Sequence, residues 1–260
     1  MSVIYEVKEN IALVTLNRPE VRNALNTETM SKVIESLNLA KEDEQVRVVV
    51  VRSAGDKAFC AGADLDELLK KKDEANIMEL RSFLQHFVNV IRALNDIGKP
   101  TIASVQGYAL AGGCGLAVAC DLTIAGEKAR FGVPEINVGF WGMIITAPIF
   151  RAVGMKSGLE MLYTGRQIDA HEARRIGLVN RVVPNEDLEN EVMGLARELA
   201  SKSPIAMKLG RDAFLTTRDM EYTKALKYLS EIVVLLASTD DMREGISAFR
   251  EKRDPQWKGK

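Results

Sequence analysis

The segment Val46-Arg47-Val48-Val49-Val50-Val51 is a nearly continuous run of β-branched side chains. A strand with one face in water alternates apolar and polar residues, whereas this run has a single polar position. Such a strand needs cover on both faces, which is typical of parallel sheets that carry helices on each side. The run therefore predicts an α/β fold in which a sheet is buried between layers of helices.

Strand and helix patterns alternate along most of the chain and give way to helices alone near its end. The predicted strands are Val3–Val7, Ile11–Leu16, Thr101–Val105 and Leu178–Val183. The predicted helices are Glu28–Asp43 with Thr27 as N-cap, Ser82–Asn95, Glu186–Ser201, one that starts at Ser203-Pro204, and Glu221–Leu236. This order predicts an α/β core followed by a helical C-terminal region.

Composition excludes several classes of protein. The 260 residues include 47% hydrophobic residues, which is enough for a sizeable core and too many for a disordered chain. Lys and Arg number 35 against 36 Asp and Glu, a net charge of −1. This balance argues against a nucleic-acid partner, and Lys70-Lys71-Lys72 is interpreted as a solvated helix face. Without a leader pattern or an apolar run of roughly 18 residues, we expect no membrane partner and a cytoplasmic location.

Several familiar catalytic signatures are missing. The two histidines, His86 and His171, fall far apart on predicted helices, so we expect neither a Ser-His-Asp triad nor a metal site. The cluster Gly112-Gly113-Cys114-Gly115 does not fit G-x-G-x-x-G, because Val118 holds the third position. Three cysteines without CxxC spacing are predicted to be small buried residues: Cys60, Cys114 and Cys120. We therefore expect no metal and no separate cofactor.

Two segments of small residues, 58–65 and 106–115, each follow a predicted strand and lead into a helix. Small side chains let a ligand approach the backbone, and the first N–H groups of a helix have no partner within it. If the segments lie side by side, one N–H from each could bind a single carbonyl oxygen as an oxyanion hole. Ordinary tight packing between strand and helix explains the same residues, so both interpretations stay open at this point.

Glu135 is the one carboxylate in the segment from Ala129 to Gly139. Apolar surroundings raise the pKa of a carboxyl group toward neutrality, which a general base at pH 7 requires. The structural alternative is a helix cap or a salt bridge to Arg130.

These three segments, in this order, resemble the crotonase (enoyl-CoA hydratase/isomerase) superfamily. The likeness extends from Leu16-Asn17-Arg18-Pro19 and Asn23-Ala24-Leu25-Asn26 to the tail at 244–253. It implies a spiral of repeated ββα units that binds acyl-CoA over residues 1–200 and a helical C-terminal trimerisation region over residues 201–260. It also implies a homotrimer or a dimer of trimers, a role in fatty-acid metabolism, and an acyl-CoA thioester substrate, so that coenzyme A is part of the substrate.

The resemblance further implies roles for individual residues. The N–H groups of Ala61 and Gly112 would hold the thioester carbonyl, and Glu135 would move the proton. The residues implied to contact CoA are Arg22, Ala24, Ala63, Asp64, Leu65, Phe249 and Lys252. Phe140 and Trp141 depart from the small, glycine-rich turn of the family and are expected to narrow the acyl pocket.

Gly115 is the most informative departure from the family pattern. Hydratases of this family have a second glutamate at this position, whereas glycine can neither accept a proton nor orient a water. One carboxylate suffices for a 1,3-proton shift, so the sequence favours an enoyl-CoA isomerase that uses Glu135 alone. One alternative is a hydratase or related hydrolase in which Asp66, Glu67 or Asn137 positions the water. Another is a non-catalytic homologue that binds acyl-CoA or RNA.

Overall fold

The computed structural model describes residues 1–73 and 77–260, with the backbone alone for residues 71–73. Strands β1 (Val3–Lys8) and β2 (Ile11–Leu16) form an antiparallel hairpin. Its two turn residues, Glu9 and Asn10, have φ angles of 53° and 62°. Positive φ at both positions is what a two-residue type I′ turn requires. The two predicted strands are therefore confirmed, with Lys8 added to the end of the first.

After the hairpin, the strands and helices that the sequence predicts are found in their predicted order, together with others that it does not predict, such as α5 and α10. The strands are β3 (Val48–Ser53), β4 (Ala58–Cys60), β5 (Thr101–Val105), β6 (Tyr108–Leu110), β7 (Leu122–Gly126), β8 (Arg130–Gly132), β9 (Gln167–Asp169) and β10 (Arg181–Val183). The helices are α1 (Thr27–Glu42), α2 (Leu65–Asp73), α3 (Ile77–Asn95), α4 (Gly112–Ala119), α5 (Met143–Thr164), α6 (Ala170–Arg175), α7 (Leu188–Ala200), α8 (Pro204–Thr217), α9 (Tyr222–Ala237) and α10 (Asp240–Glu251). Short 3-10 helices cover Pro19–Val21, Pro134–Val138 and Asn185–Asp187.

The strands form two sheets. The larger has the order β1-β2-β3-β5-β7-β10, and its strands from β2 to β10 are parallel. The smaller has the order β4-β6-β8-β9, in which β4, β6 and β8 are parallel. Each of the pairs β3–β4, β5–β6 and β7–β8 gives one strand to each sheet and is followed by a helix. The chain therefore advances as a spiral of ββα units, as the resemblance implies.

The larger sheet is buried on both faces. Val49 and Val51 of β3 belong to one core cluster, which α1 and α3 cover. Val48 and Val50 belong to a second cluster on the opposite face, where α7 packs with Leu188, Val192, Leu195 and Ala196. Residues 48–51 of the β-branched run thus lie in a strand with apolar neighbours on each side, and the predicted cover on both faces is confirmed, although Val46 and Arg47 precede the strand.

Some element boundaries differ from the predicted ones. The N-cap of α1 is Asn26, whose Oδ1 atom accepts a hydrogen bond from the Thr29 N–H at 2.8 Å, so Thr27 is not the cap. Leu178 and Val179 are buried in the core but precede β10, which begins only where the chain pairs with β7. In both places a tertiary or capping contact, rather than the apolar pattern, decides where the element starts.

The C-terminal region is helical, as predicted. Arg211 of α8 fixes it to the core, because its guanidinium donates to the carboxylate of Asp121 at 2.8 Å and to the carbonyls of Leu94 and Asn95 at 2.7 Å. Helix α9 has no buried residue, and its exposed apolar side chains include Tyr222, Leu226, Val233, Val234 and Leu235. The division of the chain at residue 200 stays a prediction.

The cysteines are buried and free, as predicted. Burial raises the pKa of the Cys60 and Cys114 thiols to about 12, and it raises the pKa of Cys120 as well. Because the thiolate is the reactive form, these groups are held in the unreactive state at neutral pH.

Other expectations concern surface charge and membranes. Lys70 is exposed, whereas the side chains of Lys71 and Lys72 lie outside the part of the chain that is described. Within residues 1–73 and 77–260, no helix is both long enough and apolar enough to cross a membrane.

Candidate active site

Three parallel strands of the smaller sheet, β4, β6 and β8, end at one edge of that sheet. Cys60 of β4 lies beside Ala109 of β6, and Leu110 of β6 lies beside Gly132 of β8. Neighbouring strands are about 4.8 Å apart, so the loops that follow them start close together. The structure thereby brings the three segments of interest, 61–64, 111–112 and 133–135, to the same place.

The first of these loops is fixed against the loop before α1. Leu25 forms a parallel bridge with Ala63: the Leu25 N–H donates to the Gly62 carbonyl at 2.8 Å, and the Asp64 N–H donates to the Leu25 carbonyl at 3.0 Å. In such a bridge Leu25 bonds to the two neighbours of Ala63, and the N–H of Ala63 itself points away from Leu25. The N–H of Ala63 is therefore directed to the opposite side of the loop.

Ala61 does not offer the free N–H group that the resemblance implied. Its N–H donates to the carbonyl oxygen of Arg22 at 3.0 Å and is used to hold the loop in place. The implied role of Ala61 is therefore corrected. On this loop, the N–H group that has no acceptor among the described residues is that of Ala63.

Ala63 and Gly112 present their N–H groups side by side. A Cβ atom placed on Gly112 would lie 3.7 Å from the nitrogen of Ala63, and one placed on Gly62 would lie 3.2 Å from the nitrogen of Gly112. Gly112 is the first residue of α4, so its N–H lacks the partner that later residues of a helix have. Two adjacent unpaired donors can bind one carbonyl oxygen.

The approach of the two loops depends on glycine at position 62 and on an unusual backbone at Ala111. Gly62 has a φ of 104°, and a Cβ atom there would lie 2.7 Å from the Cβ atom of Ala111. Ala111, the N-cap of α4, has φ 51° and ψ −128°, which is rare for a residue other than glycine. Strained backbone of this kind costs about 1–3 kcal/mol and is concentrated at functional sites.

Glu135 lies in the 3-10 helix that follows β8. Its Oε2 atom is buried and has no hydrogen-bond partner among the described residues. Burial raises the pKa of this carboxyl group, and the charge of Glu135 contributes to the raised pKa of the Cys114 thiol on α4. The carboxylate is therefore close to α4, the helix that begins at Gly112.

The structural alternatives for Glu135 are not found. The Nη1 atom of Arg130 donates to the carbonyl of Ala129 at 3.0 Å, and the described residues include no ion pair to Glu135. The N-cap of the short helix is Val133, without a side-chain cap. The Oε2 atom of Glu135, which has no partner among the described residues, is therefore available to a ligand.

Gly115 lies on α4 against the side chain of Ile145 on α5. A Cβ atom on Gly115 would overlap the Cγ2 atom of Ile145 and lie 2.7 Å from its Cβ atom. Ile145 is buried, with 2% of its surface exposed. Isoleucine therefore occupies the space into which a larger side chain at position 115 would extend.

Phe140 and Trp141 follow Glu135 closely but differ in their surroundings. Trp141 is half-buried, its ring centroid lies 5.5 Å from that of Tyr163 in an edge-to-face arrangement, and its Nε1 atom is 3.3 Å from the Thr146 hydroxyl. Phe140 is 48% exposed, and its N–H donates to the Glu135 carbonyl at 3.0 Å. Trp141 is the more firmly held of the two aromatic residues.

The residues implied to contact CoA fall into two groups. One group is brought together where the loop before α1 meets the first small-residue loop: Arg22, Ala24, Ala63, Asp64 and Leu65. Phe249 and Lys252 lie instead at the end of α10, which packs against α8 and α9. Phe249 is 86% exposed and Lys252 is also exposed.

The acidic and amide groups considered for water positioning are differently placed. Glu67 accepts hydrogen bonds from the Thr27 N–H and hydroxyl at 2.9 and 2.6 Å, which holds it at the start of α1. Asp66 is exposed at the start of α2. The Nδ2 atom of Asn137 lies against Gly165, 2.9 Å from where a Cβ atom would be.

Sequence reasoning missed one residue that shapes the site. Asn23 is buried and, like its neighbour Arg22, has a positive φ. Its amide donates to the carbonyls of Ala54 and Ala58 at 3.0 and 2.9 Å, and its Oδ1 atom accepts from the Arg18 N–H at 2.8 Å. In the sequence, Asn23 is recognisable only as a polar residue in the segment before α1. That position does not reveal its hydrogen bonds to Ala54 and Ala58.

Comparisons with known proteins agree with this geometry. The family model described as Enoyl-CoA hydratase/isomerase matches residues 6–260. A short-chain-enoyl-CoA hydratase of Clostridium acetobutylicum is 38% identical over 253 residues, which are 97% of this chain and 95% of the relative. A 2,3-dehydroadipyl-CoA hydratase of Escherichia coli is 36% identical over 259 residues, 99% of each chain.

A solved structure extends the likeness to the whole fold. The crystal structure of an enoyl-CoA hydratase from Bacillus anthracis superposes with a TM-score of 0.95 and 32% sequence identity, covering 100% of both chains. The match includes both sheets and the helical C-terminal region. The chain therefore belongs to the enoyl-CoA hydratase/isomerase family of the crotonase superfamily and is an enzyme of that family.

Proposed function

We propose that the protein is an enoyl-CoA isomerase that converts a 3-enoyl-CoA to a 2-enoyl-CoA. The observation that carries this proposal has two parts. Among the described residues, Glu135 is the carboxylate with a buried oxygen that has no hydrogen-bond partner, and Ile145 of α5 leaves no room for a second carboxylate at Gly115 of α4. An acyl-CoA substrate is consistent with the family and with the names of the relatives.

The proposed reaction is a proton transfer between two carbons. The Glu135 carboxylate removes a proton from C2, and the electrons of that C–H bond form a dienolate whose negative charge lies on the thioester oxygen. The same carboxyl group returns the proton to C4 as the enolate collapses, which leaves the double bond between C2 and C3. No oxidant, metal or water is consumed, and Glu135 ends as a carboxylate.

The N–H groups of Ala63 and Gly112 are the donors that we assign to the thioester oxygen. Ala63 takes the place of Ala61, because the Ala61 N–H is hydrogen-bonded to Arg22. Loss of one such donor typically costs about 2.7–4 kcal/mol of transition-state stabilisation. The raised pKa of Glu135 fits the task of a base that takes a proton from carbon and gives it back.

A hydratase is the second candidate, and the names of the relatives favour it. The relatives at 38% and 36% identity are both named hydratases. Hydration requires a water held beside C3 in addition to the base. Of the residues considered for that task, Glu67 is engaged by Thr27, so Asp66 and Asn137 would have to act from an exposed position.

The CoA portion of the substrate is assigned to the surface around Arg22, Ala24, Ala63, Asp64 and Leu65. Phe249 and Lys252 are assigned to a CoA bound by a neighbouring subunit on the family resemblance, and their exposure at the end of α10 is compatible with that assignment. The exposed apolar side chains of α9 support a trimer or a dimer of trimers, since exposed apolar surface marks interaction sites. Light scattering in solution tests this: a mass near that of one 28.7 kDa chain would contradict it.

The reaction itself is tested with two substrates. Purified protein is given a 3-enoyl-CoA and, separately, a 2-enoyl-CoA of the same chain length, and the products are identified by mass and NMR. The proposal predicts migration of the double bond in the first and little water addition to the second. Efficient hydration of the 2-enoyl-CoA with no migration would establish the hydratase instead.

A further inference from the structure

We propose that Ile145 determines which reaction this site performs, by excluding the second carboxylate and the water that hydration needs. This inference rests on the proposed function, because it concerns the choice between proton transfer and water addition. It assigns a specificity-determining role to a side chain on α5 that carries no reactive group.

The contacts of Ile145 define its position. Its Cγ2 atom lies against Gly115 of α4, where any Cβ atom would overlap it. Its Cγ1 and Cδ1 atoms lie on the other side, each 2.9 Å from the place that a Cβ atom on Gly142 would take. That same place is 3.0 Å from the Cγ1 atom of Val133, two residues before Glu135. Ile145 therefore fills the space between α4 and the segment that carries Glu135.

The chemical consequence follows from what isoleucine cannot do. A water molecule held in a protein needs about two to four polar partners, and an aliphatic side chain provides none. The apolar side chain also keeps the Glu135 carboxyl group partly desolvated, and desolvation favours its neutral form. Glu135 is in that neutral form after it has taken the proton from C2 and before it gives the proton to C4. The pairing of Gly115 with Ile145 thus makes proton transfer between carbons the available reaction.

The structure specifies how far Ile145 must be cut back before a glutamate fits at position 115. With alanine at 145, the Cβ atoms of the two residues would still be 2.7 Å apart, too close for real atoms. With glycine at 145, the nearest remaining atom of that residue is its Cα at 3.6 Å, an ordinary contact. Gly115→Glu/Ile145→Gly is therefore the test variant, and Gly115→Glu/Ile145→Ala is its matched control.

The experiment measures hydration of a 2-enoyl-CoA and migration in a 3-enoyl-CoA for the natural chain and both double variants, with thermal melting to verify folding. We expect Gly115→Glu/Ile145→Gly to hydrate at least about 100-fold faster than the natural chain, the lower end of what a positioned acid/base contributes. The increase in hydration rate of the Gly115→Glu/Ile145→Ala control is expected to be less than a tenth of the increase in Gly115→Glu/Ile145→Gly.

A folded Gly115→Glu/Ile145→Gly variant that hydrates no faster than the natural chain would overturn the role of Ile145. If the double variant does not fold, Ile145→Thr replaces it, because threonine keeps the branched shape and adds a hydroxyl for a water. It is expected to raise hydration by about tenfold, and no gain would overturn the role. Absence of migration in the natural chain would instead overturn the proposed function, and a hydration gain in the double variant would still support the role of Ile145.

Discussion

The guanidinium of Arg18 and the carboxylate of Asp64 join the loop before α1 to the loop after β4. Nη1 of Arg18 lies 3.0 Å from Oδ2 of Asp64 and also donates to the carbonyl of Ala24 at 2.8 Å. Both side chains are largely buried, with 20% and 15% exposed. Asp64 directly follows Ala63, so this ion pair helps to fix the N–H group that we assign to the thioester oxygen.

Asp64→Asn keeps the size of the side chain and removes its charge. Hydrogen bonds to charged groups contribute about 1.5–3 kcal/mol, so we expect the free energy of unfolding to fall by about that amount. We also expect a lower kcat, since Ala63 is less firmly held. Denaturant unfolding and steady-state kinetics check both. Asp56→Asn, an identical change at an exposed position of the β3–β4 loop, serves as the control and is expected to leave both values unchanged.

Glu135→Gln is expected to abolish the proton transfer while leaving the fold and CoA binding intact. Glutamine matches glutamate in shape but cannot accept a proton, so migration of the double bond should fall by about 10²–10⁴-fold. The measurement is the rate of migration with a 3-enoyl-CoA, accompanied by calorimetric binding of a saturated acyl-CoA. Glu127→Gln, on the exposed surface after β7, provides the comparison. Activity in Glu135→Gln within tenfold of the natural chain would exclude Glu135 as the base.

The pH dependence of activity follows from the burial of Glu135. Burial raises the pKa of this carboxyl group above its ordinary value of 4.5. The base acts in its deprotonated form, so kcat/KM is expected to fall as the pH is lowered through a value above 4.5. A profile whose acid limb lies at or below 4.5 would show that a carboxyl group in an ordinary environment is responsible.

The same shift predicts how stability changes with pH. The folded chain holds the Glu135 proton more tightly than the unfolded chain, so stability present below pH 4.5 is lost as the pH rises through the raised pKa. Glutamine does not titrate, so Glu135→Gln removes this loss of stability. The Tm of the variant minus the Tm of the natural chain is therefore expected to be larger at pH 8 than at pH 4. A larger difference at pH 4 would contradict the direction of the pKa shift.

Trp141 is expected to limit the length of the acyl chain. Trp141→Ala removes the ring that packs against Tyr163 and opens space beside the segment that carries Glu135. We expect the ratio of kcat/KM for a longer to a shorter acyl chain to rise about tenfold, since a methylene in an apolar pocket contributes about 1–3 kcal/mol. Trp141→Phe, which retains an aromatic ring, should change the ratio little. An unchanged ratio in Trp141→Ala would place the acyl chain elsewhere.

Much of the fold could be predicted from the sequence because its signals are local. The β-branched run of β3 required cover on both faces, and the structure has apolar clusters on each side. The start of β10 could not be predicted from the apolar pattern, because Leu178 and Val179 are as apolar as the strand itself. The strand begins only at Arg181, where pairing with β7 starts.

The site was predictable to the level of its loops but not of its individual atoms. Composition marks two segments of small residues and a third segment with a single carboxylate, and parallel pairing of β4, β6 and β8 brings the three together. Whether Ala61 or Ala63 offers a free N–H depends on the bridge to Leu25, a contact across 38 positions of sequence. The pairing of Gly115 with Ile145 depends likewise on how α5 packs on α4, which no local pattern encodes.

The most direct measurement of the central claim follows a labelled proton. A 3-enoyl-CoA carrying deuterium at both C2 positions is converted by the natural protein in ordinary water, and the product is analysed by NMR and mass spectrometry. Because one buried carboxyl group removes and returns the proton, we predict a 2-enoyl-CoA in which part of the deuterium has moved to C4. A 3-hydroxyacyl-CoA as the main product, or a 2-enoyl-CoA with no deuterium at C4, would contradict the account.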